Sequence, residues 1–296
     1  MLKFLDKVSG DEKLSAYILG AGFEGAYSYR SGAENGPSSI MYAFENNMEI
    51  FDRFTLNEPY EMFDFGYYEI EGINAKTPED AINDITNELD KMDKKFTILL
   101  GGSHSVSNAF FIHLAKKYDP KDVTILQVDA HPDMRENTED YKKGASKFDH
   151  ACVMRRACEL GFNTVQVGIR TISKYDNDFI KGTNRKVFEW GHGNIPTIEE
   201  IISEIKTDKV YLTFDVDGLD PSHAPATGTP IPGGLDFFYA QSLIRKLIES
   251  KDLVGADIVE VAPFDDDVLT QYSAANICYN ILSYKLLKDS DNLKYN

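Results

Sequence analysis

The stretch from Leu126 to Glu136, LQVDAHPDMRE, places an apolar run directly before three potential metal ligands. Leu126–Val128 has the composition of a strand that is buried on both faces. Asp129, His131 and Asp133 follow at alternate positions, where that strand would end. In open parallel sheets, ligands bind beyond the carboxyl ends of the strands. The stretch therefore predicts a parallel α/β fold with a binding site at this edge of the sheet.

Similar apolar runs recur along the chain, and segments with helical spacing separate them. The runs do not alternate strictly between apolar and polar residues, which is typical of strands inside a parallel sheet. The predicted strands are Ala16–Leu19, Phe96–Leu100, Val123–Val128, Thr164–Ile169, Val210–Phe214 and Leu253–Val261. The alternation of strands and helices predicts a single-domain α/β protein, whose parallel sheet is flanked by helices on both faces.

Two of the predicted helices begin with specific start signals. Thr77 is a candidate N-cap before Pro78 and two acidic residues, which predicts a helix through Ala81–Met92. Thr197 and Glu200 form a candidate capping box at the start of another helix. The remaining predicted helical segments are Ser105–Lys117, Ala151–Leu160, Ile201–Ile205, Phe237–Glu249 and Ala274–Leu287.

No linker, repeat or low-complexity tract divides the sequence, so we expect one domain over residues 1–296. Two long stretches, Phe23–Ser39 and Asp220–Gly234, are rich in glycine or proline and are predicted to be irregular. Loops of this size inside a compact α/β domain usually form binding sites.

Composition narrows the classes of function. The net charge of −17 argues against nucleic acid as a partner and is compatible with a small cationic substrate. Cys152, Cys158 and Cys278 are too few for a disulfide framework, so we expect reduced, buried thiols with no catalytic role. The N-terminal sequence MLKFLDKVSGDEK resembles no signal peptide, and no stretch is apolar enough to span a membrane. We therefore expect a cytoplasmic protein with no membrane partner.

Three further predicted strands lead into potential ligands. His104 follows the strand at Phe96–Leu100 within Gly-Gly-Ser-His-Ser, and Asp215 and Asp217 follow a later strand. The last predicted strand carries Glu260 near its end. Because the carboxyl ends of parallel strands meet at one edge of a sheet, these side chains are expected to converge with those of LQVDAHPDMRE.

The converging carboxylates require compensating positive charge. They are Asp129, Asp133, Asp215 and Asp217. Four like charges within a few ångströms cannot all ionise unaided, and two divalent cations would neutralise them. Oxygen ligands with two imidazoles, from His104 and His131, suit Mn²⁺ best, while Zn, Co and Ni are also permitted. Two such metals about 3.5–4 Å apart normally hold one water and lower its pKa, which gives hydroxide near neutral pH.

Each motif alone has a simpler interpretation. Asp and His after a strand often cap a helix or form an Asx-turn. The sequence from Asp215 to Asp220 could also begin a calcium loop, but the twelfth position of such a loop needs Glu and here is Ala226. The motifs occur together after separate buried strands, and this combination favours a two-metal site.

These stretches together resemble the ureohydrolase family, which includes arginase, agmatinase, guanidinobutyrase and formiminoglutamase. The resemblance spans nearly the whole chain and is strongest to the agmatinase members. It is carried by RSGAENGPSSI (30–40), GGSHS (101–105), DAHPD (129–133), FDHACVMRRA (148–157), VQVGIRT (165–171), TFDVDGLDP (213–221) and DIVEVAP (257–263). The resemblance implies an arginase-like three-layer αβα fold and a metal-dependent hydrolase.

The resemblance also implies roles for individual residues. It implies two Mn²⁺ per subunit, one held by His104, Asp129, Asp133 and Asp215, the other by His131, Asp129, Asp215 and Asp217. Glu260 would bind the substrate guanidinium by a bidentate pair. His150 would be the proton shuttle to the leaving amine, and Asp133 would orient the hydroxide nucleophile. By resemblance we also expect a homo-oligomer, either a trimer or a hexamer.

For the substrate, the resemblance favours agmatine, hydrolysed to putrescine and urea as in polyamine biosynthesis. The segment Phe148–Ala151 lacks the Asn and Gly with which arginase-like members recognise an α-amino acid. Other ureohydrolase substrates remain open, namely 4-guanidinobutyrate, arginine and formiminoglutamate. A substrate carboxylate would need a cation at the far end of the pocket. Arg155, Arg156 and Arg170 could supply it, although surface or helix roles are the favoured interpretation for all three.

Some positions depart from the family pattern. Ser103 stands where Asp or Glu is usual, so weaker orientation of a ligand is expected. Ala226 replaces a usual Gly, and residues 263–275 are more acidic than their counterpart. A non-catalytic metal-binding relative and a one-metal zinc deacetylase are the competing hypotheses. No ligand role is assigned to the remaining histidines: His223 is expected to pack in place of an aromatic residue, and His113 and His192 are expected on a helix surface or in a loop.

Overall fold

The chain folds around one eight-stranded sheet in the computed structural model, which describes residues 15–25, 27–92, 95–139, 146–183 and 185–294. The N-terminal stretch considered above, residues 1–13, lies outside the described residues. The strands are β1 (Ser15–Ala21), β2 (Asp64–Glu69), β3 (Phe96–Gly101), β4 (Val123–Val128), β5 (Asn163–Ile169), β6 (Lys186–Glu189), β7 (Lys209–Asp215) and β8 (Asp252–Val259).

All neighbouring strands pair in parallel, in the order β2-β1-β3-β8-β7-β4-β5-β6. The six predicted strands are present to within two residues at each end. β2 and β6 were not predicted from the sequence. They are the two edge strands, and their partly exposed side chains leave no continuous apolar run that would reveal them.

Helices cover both faces of the sheet. They are α1 (Gly36–Asn47), α2 (Pro59–Met62), α3 (Pro78–Lys91), α4 (Ser107–Lys117), α5 (Val153–Leu160), α6 (Lys174–Thr183), α7 (Ile198–Glu204), α8 (Phe237–Ser250) and α9 (Leu269–Asp289). Apolar residues of α1, α7, α8 and α9 share one core with the sheet, and those of α3, α4 and α5 share the other. This arrangement confirms the predicted three-layer αβα fold.

The predicted helix starts are confirmed in detail. The Thr77 side chain accepts a hydrogen bond from the Asp80 backbone N–H, and Thr197 and Glu200 form the reciprocal capping box. The prediction of an irregular Phe23–Ser39 is wrong at its C-terminal end. There α1 begins at Gly36, with Pro37 in its first turn, where a missing N–H costs nothing.

The sheet order brings the predicted site together. The four central strands, β3, β8, β7 and β4, are neighbours, although the chain forms them in a different order. Each of the four leads at its carboxyl end into one group of predicted site residues. Because neighbouring strands lie about 4.8 Å apart, side chains that follow them can reach one another. The topology therefore delivers ligands from distant parts of the sequence to one place.

Candidate metal centre

The first group of candidate ligands surrounds His104, whose side chain is fully buried. Its Nδ1 atom lies 3.2 Å from Asp129 Oδ2, 3.1 Å from Asp133 Oδ2 and 3.3 Å from Asp215 Oδ2. A single N–H could be directed at only one of the three oxygens. Within the described residues, Nδ1 is a buried polar atom with no hydrogen bond of good geometry. A cation at the centre of the group would satisfy the nitrogen and the oxygens together.

A second group of candidate ligands adjoins the first. His131 Nδ1 lies 3.0 Å from Asp217 Oδ2 and 3.5 Å from Asp129 Oδ1. The ligand atoms of Asp129, His131 and Asp217 lie within 4.8 Å of one another, as do those of His104, Asp129 and Asp133. Asp129 belongs to both groups, so the structure offers two adjoining sites that share one carboxylate.

Hydrogen bonds hold the shared carboxylate in place. Asp129 Oδ1 accepts from the His131 backbone N–H at 2.6 Å, and Oδ2 accepts from the Gln127 amide at 2.6 Å. Asp217 Oδ1 accepts from the Ala130 N–H at 3.0 Å. Asp215 Oδ1 accepts from the Asp217 N–H at 2.9 Å. The two loops after β4 and β7 are thus fastened to each other through the ligands themselves.

Two site residues have left-handed backbone conformations that are uncommon for side chains with a Cβ. Asp133 has a φ of 53° and Glu260 a φ of 65°. The Asp133 carbonyl accepts hydrogen bonds from the N–H groups of Met154 and Arg155, each at 3.1 Å, at the start of α5. The Glu260 N–H donates to the Gly102 carbonyl at 2.8 Å. Strained conformations held by such bonds are characteristic of functional sites.

The protein atoms alone leave this site with too much negative charge. Burial and the charge of Asp129 raise the pKa of Asp133 to about 8. Burial, with Asp217 and Asp129, raises the pKa of Asp215 well above its ordinary value. Burial would lower the pKa of His131, but Asp217 and Asp129 outweigh it and raise that pKa to about 12. Divalent cations would compensate this charge, and the oxygen-rich donor set with two imidazoles fits ions such as Mn²⁺.

A cavity of about 450 Å³ opens directly onto both ligand groups. Glu260 lies in its wall, and the Oε1 atom of this residue accepts a hydrogen bond from the His104 N–H at 2.7 Å. Burial raises the pKa of Glu260 to about 7. His150 also lines the cavity, and its Nε2 atom lies 2.9 Å from Ser28 Oγ. The cavity thus combines the candidate metal ligands with the two residues predicted to contact the substrate.

Ser28, Arg135 and Asp176 are among the lining residues that were not predicted as site residues from the sequence. Ser28 belongs to a stretch that was expected to form a site, but its contact depends on the path of that loop. Asp176 lies in α6, a helix that was not predicted, and accepts from the Met134 N–H at 3.0 Å. Arg135 lies two residues after the candidate ligand Asp133, and this closeness in the sequence could have identified it as a residue of the cavity wall.

The arginines proposed as partners of a substrate carboxylate do not line the cavity; Arg135 is the only arginine among the described residues that does. Arg170 donates to the carbonyl groups of the β7 loop and of Ile231. Arg156 donates to two carbonyls and to Glu159, and Arg155 also pairs with Glu159. These three arginines therefore have structural roles, which is the interpretation that the sequence favoured.

The other singled-out residues also have local roles. His113 is buried rather than on the helix surface, and its Nδ1 atom lies 2.7 Å from Asp90 Oδ1. His223 packs beside Phe237, and His192 lies in a turn with a φ of 51°. Ser103 caps the turn that carries His104 by accepting from the Ser105 N–H. The three cysteines are free and buried, as predicted.

A search of the described residues for a helix long and apolar enough to cross a lipid bilayer gives none.

Comparison with known proteins identifies the family. A profile of the arginase family matches residues 14–283. The N(1)-aminopropylagmatine ureohydrolase of Synechocystis sp. is 33% identical over 273 residues, which cover 88% of this chain and 86% of that protein. The agmatinase of Edwardsiella ictaluri is 31% identical over an alignment that covers 96% of this chain and 92% of that protein. The crystal structure of agmatine ureohydrolase of Thermoplasma volcanium is similar with a TM-score of 0.78, at 30% identity over 98% of this chain and 96% of that chain. The chain therefore belongs to the arginase family, and the protein is a hydrolase.

Proposed function

We propose that the protein is a binuclear manganese ureohydrolase that cleaves a guanidinium C–N bond, with agmatine as substrate and putrescine and urea as products. The observation that carries this proposal is the pair of ligand groups sharing Asp129 at the floor of a cavity whose wall contains Glu260 and His150. A non-catalytic metal site would need neither of those two residues. We further infer one ureohydrolase domain over residues 1–296 and a homo-oligomer, a trimer or a hexamer, from the family resemblance.

Six side chains would hold the two ions. His104, Asp129, Asp133 and Asp215 would hold one, and His131, Asp129, Asp215 and Asp217 would hold the other. When bound, two such ions activate water and stabilise negative charge that develops on the substrate. Asp133 would in addition orient the attacking water by accepting a hydrogen bond from it. Its backbone, fixed by two hydrogen bonds from α5, keeps that carboxylate at the cavity floor.

Glu260 would hold the guanidinium group. A planar guanidinium donates two parallel hydrogen bonds to a carboxylate, and burial strengthens such a pair. The guanidinium carbon would then face the ligand groups of β4 and β7, from which the water oxygen attacks.

His150 would complete the reaction. Water oxygen bonds to the guanidinium carbon, the bond from that carbon to the substituted nitrogen breaks, and urea forms. The departing nitrogen needs a proton to leave as an amine, and an imidazole can supply one near pH 7. The contact between Ser28 Oγ and His150 Nε2 holds the ring at the cavity wall during this step.

The nature of the substrate is supported by charge and by the relatives. Beyond the ligand set the cavity wall carries two carboxylates, Glu260 and Asp176, which favour a substrate with a cationic group at each end. Agmatine has that character, and relatives named agmatinase support it. N(1)-aminopropylagmatine is the second candidate, supported by the Synechocystis relative. Arg135 in the same wall is the feature that would instead favour 4-guanidinobutyrate.

The test is urea release by the Mn²⁺-loaded protein from four compounds measured side by side: agmatine, N(1)-aminopropylagmatine, 4-guanidinobutyrate and L-arginine. We expect the highest kcat/KM with agmatine. A higher kcat/KM with N(1)-aminopropylagmatine would support the same mechanism but show that this compound, and not agmatine, is the preferred substrate. Urea from none of them, with two Mn²⁺ bound, would overturn the proposed reaction. Asp129→Asn protein is the matched control for urea formed without the metal centre.

A further inference from the structure

A buried chain of hydrogen bonds lies behind His104, on the side of the imidazole away from the candidate ligands. His104 Nε2 lies 2.8 Å from Thr213 Oγ1, and Thr213 Oγ1 lies 2.6 Å from Asp257 Oδ1. The other oxygen of Asp257 accepts from the Tyr211 hydroxyl at 2.6 Å. None of these four side chains is accessible to solvent. Thr213 and Tyr211 lie on β7 and Asp257 on β8, and of the four side chains His104 is the one that lines the cavity.

The direction of each hydrogen bond in this chain follows from the groups involved. A carboxylate can only accept, so Thr213 and Tyr211 both donate to Asp257. The single hydroxyl proton of Thr213 is then used, and its oxygen can only accept from His104 Nε2–H. The Nε2 atom of His104 therefore keeps its proton. Nδ1, the nitrogen that faces Asp129, Asp133 and Asp215, is the atom left to act as a ligand.

We propose that Thr213 and Asp257 are positioning residues for the metal centre, which hold the His104 ring in one orientation and assign Nδ1 to the metal. This inference rests on the proposed function, because it assumes that His104 is a metal ligand. Partners behind a metal-bound imidazole commonly determine its tautomer and orientation. Here the Asp257 carboxylate acts on the imidazole through the Thr213 hydroxyl. Loss of that hydroxyl should therefore remove the hydrogen-bonded connection between the His104 ring and Asp257.

The inference makes a selective prediction. Thr213 contacts His104, which belongs to the first ligand group, whereas the contacts of His131 in the second group do not involve it. Thr213→Val replaces the hydroxyl with a methyl group of similar size. Thr213→Ser keeps the hydroxyl. Thr124→Val is the matched control, since Thr124 is a buried β4 threonine whose hydroxyl bonds to Thr207 at 2.7 Å, at the amino end of the strand.

The experiment is calorimetric titration of each metal-free protein with Mn²⁺ alone, with Mn²⁺ electron paramagnetic resonance to count bound ions. We expect T213V to bind one of its two Mn²⁺ about 10- to 100-fold more weakly than wild type, as is typical for loss of a partner behind a ligand. T213S and T124V should bind both ions as wild type does. If T213V fails to fold by circular dichroism, Thr213→Ala carries the same expectation.

The outcomes separate this inference from the proposed function. Wild-type affinity for both ions in T213V would overturn the positioning role, and so would equal weakening in T213S or in T124V. Two Mn²⁺ in the wild type with no urea from any guanidino compound would overturn the proposed reaction and leave the positioning role standing. A wild-type protein that binds no Mn²⁺ would overturn both.

Discussion

Glu260 Oε1 accepts a hydrogen bond from the backbone N–H of His104 at 2.7 Å. This contact joins the residue proposed to hold the substrate guanidinium to a residue proposed to hold a metal ion. The two residues follow neighbouring strands, β8 and β3. The Glu260 N–H also bonds to the Gly102 carbonyl, next to the same turn. The separation between the Glu260 carboxylate and the candidate metal centre is therefore set by paired backbone segments and not by a mobile loop.

The contact leads to a prediction for Glu260→Gln. Glutamine keeps the oxygen that accepts from His104 but removes the charge that pairs with a guanidinium. A hydrogen bond to a charged group contributes about 1.5–3 kcal/mol, so KM for agmatine should rise about 10- to 100-fold. Steady-state urea release and a manganese count would check this, because two Mn²⁺ should remain bound. An unchanged KM would remove Glu260 from the substrate site.

The shared position of Asp129 predicts a difference between two asparagine variants. Asp129 belongs to both ligand groups, whereas Asp217 belongs to the second group alone. Asp129→Asn should therefore lose both ions, and Asp217→Asn should lose one and keep the other. Inductively coupled plasma mass spectrometry after dialysis gives the manganese content of each. Two ions retained by D129N would contradict its bridging role.

The contact between Ser28 and His150 predicts a large fall in kcat when His150 is replaced and a smaller fall when Ser28 is replaced. His150→Ala removes the proposed proton donor and should lower kcat about 10²- to 10⁴-fold. Ser28→Ala removes one hydrogen bond to the ring, so kcat should fall only about 2- to 10-fold. KM and manganese content should change little in either variant. A fall in S28A as large as that in H150A would show that Ser28 does more than hold the ring.

Removing metal should destabilise the protein. Any ligand that binds only the folded state stabilises it, by about 2.7 kcal/mol when its free concentration is 100 times the dissociation constant. Thermal unfolding should therefore occur at a higher temperature with Mn²⁺ than after treatment with a chelator. The D129N variant provides the control, because its transition should not respond to Mn²⁺. An equal response in wild type and D129N would place the stabilising ion elsewhere.

Asp220 predicts a pH dependence of stability at the loop after β7. Burial would raise the pKa of this carboxyl, but hydrogen bonds from Ser222, Gly233 and Gly234 outweigh it and lower the pKa to about 2. Because the pKa is lower in the folded state, the stabilisation is complete above the unfolded value near 4 and is lost as pH falls towards about 2. Asp220→Asn should thus be less stable than wild type at pH 6.

Chemical denaturation at pH 6 and at pH 3 would measure that difference. The difference in free energy of unfolding between D220N and wild type should be smaller at pH 3, because protonation of the wild-type carboxyl begins to remove its stabilising effect there. A gap that stays constant between the two pH values would mean that the amide disturbs the loop by its shape and not by its charge.

Much of the fold was predictable because its central strands are buried on both faces and form continuous apolar runs. The same reasoning failed at β2 and β6, whose outer edges have no neighbouring strand among the described residues. The convergence of the candidate ligands was also predictable, since the sheet topology brings together the residues that follow β3, β4, β7 and β8. The signal there was the type of residue at each strand end, which needs no knowledge of loop conformation.

Other parts of the site depend on tertiary contacts that short sequence patterns do not carry. Ser28 reaches His150 through a loop whose path is set by packing. Arg135 and Asp176 enter the cavity wall because a loop and a helix meet there. Thr213 and Asp257 did leave a trace in the sequence, as polar residues within apolar strands. Their partnership could be recognised only when the β7 to β8 register was known.

The order of strands in the sheet has a consequence for the newly made chain. β7 and β8 are the last strands to leave the ribosome, yet they lie in the middle of the sheet, between β3 and β4. Until both have emerged, β3 and β4 cannot be joined into one sheet, and the aspartates that follow β4 lack the partners that follow β7. The full ligand set proposed for the metal ions is thus assembled only after β7 and β8 have been made.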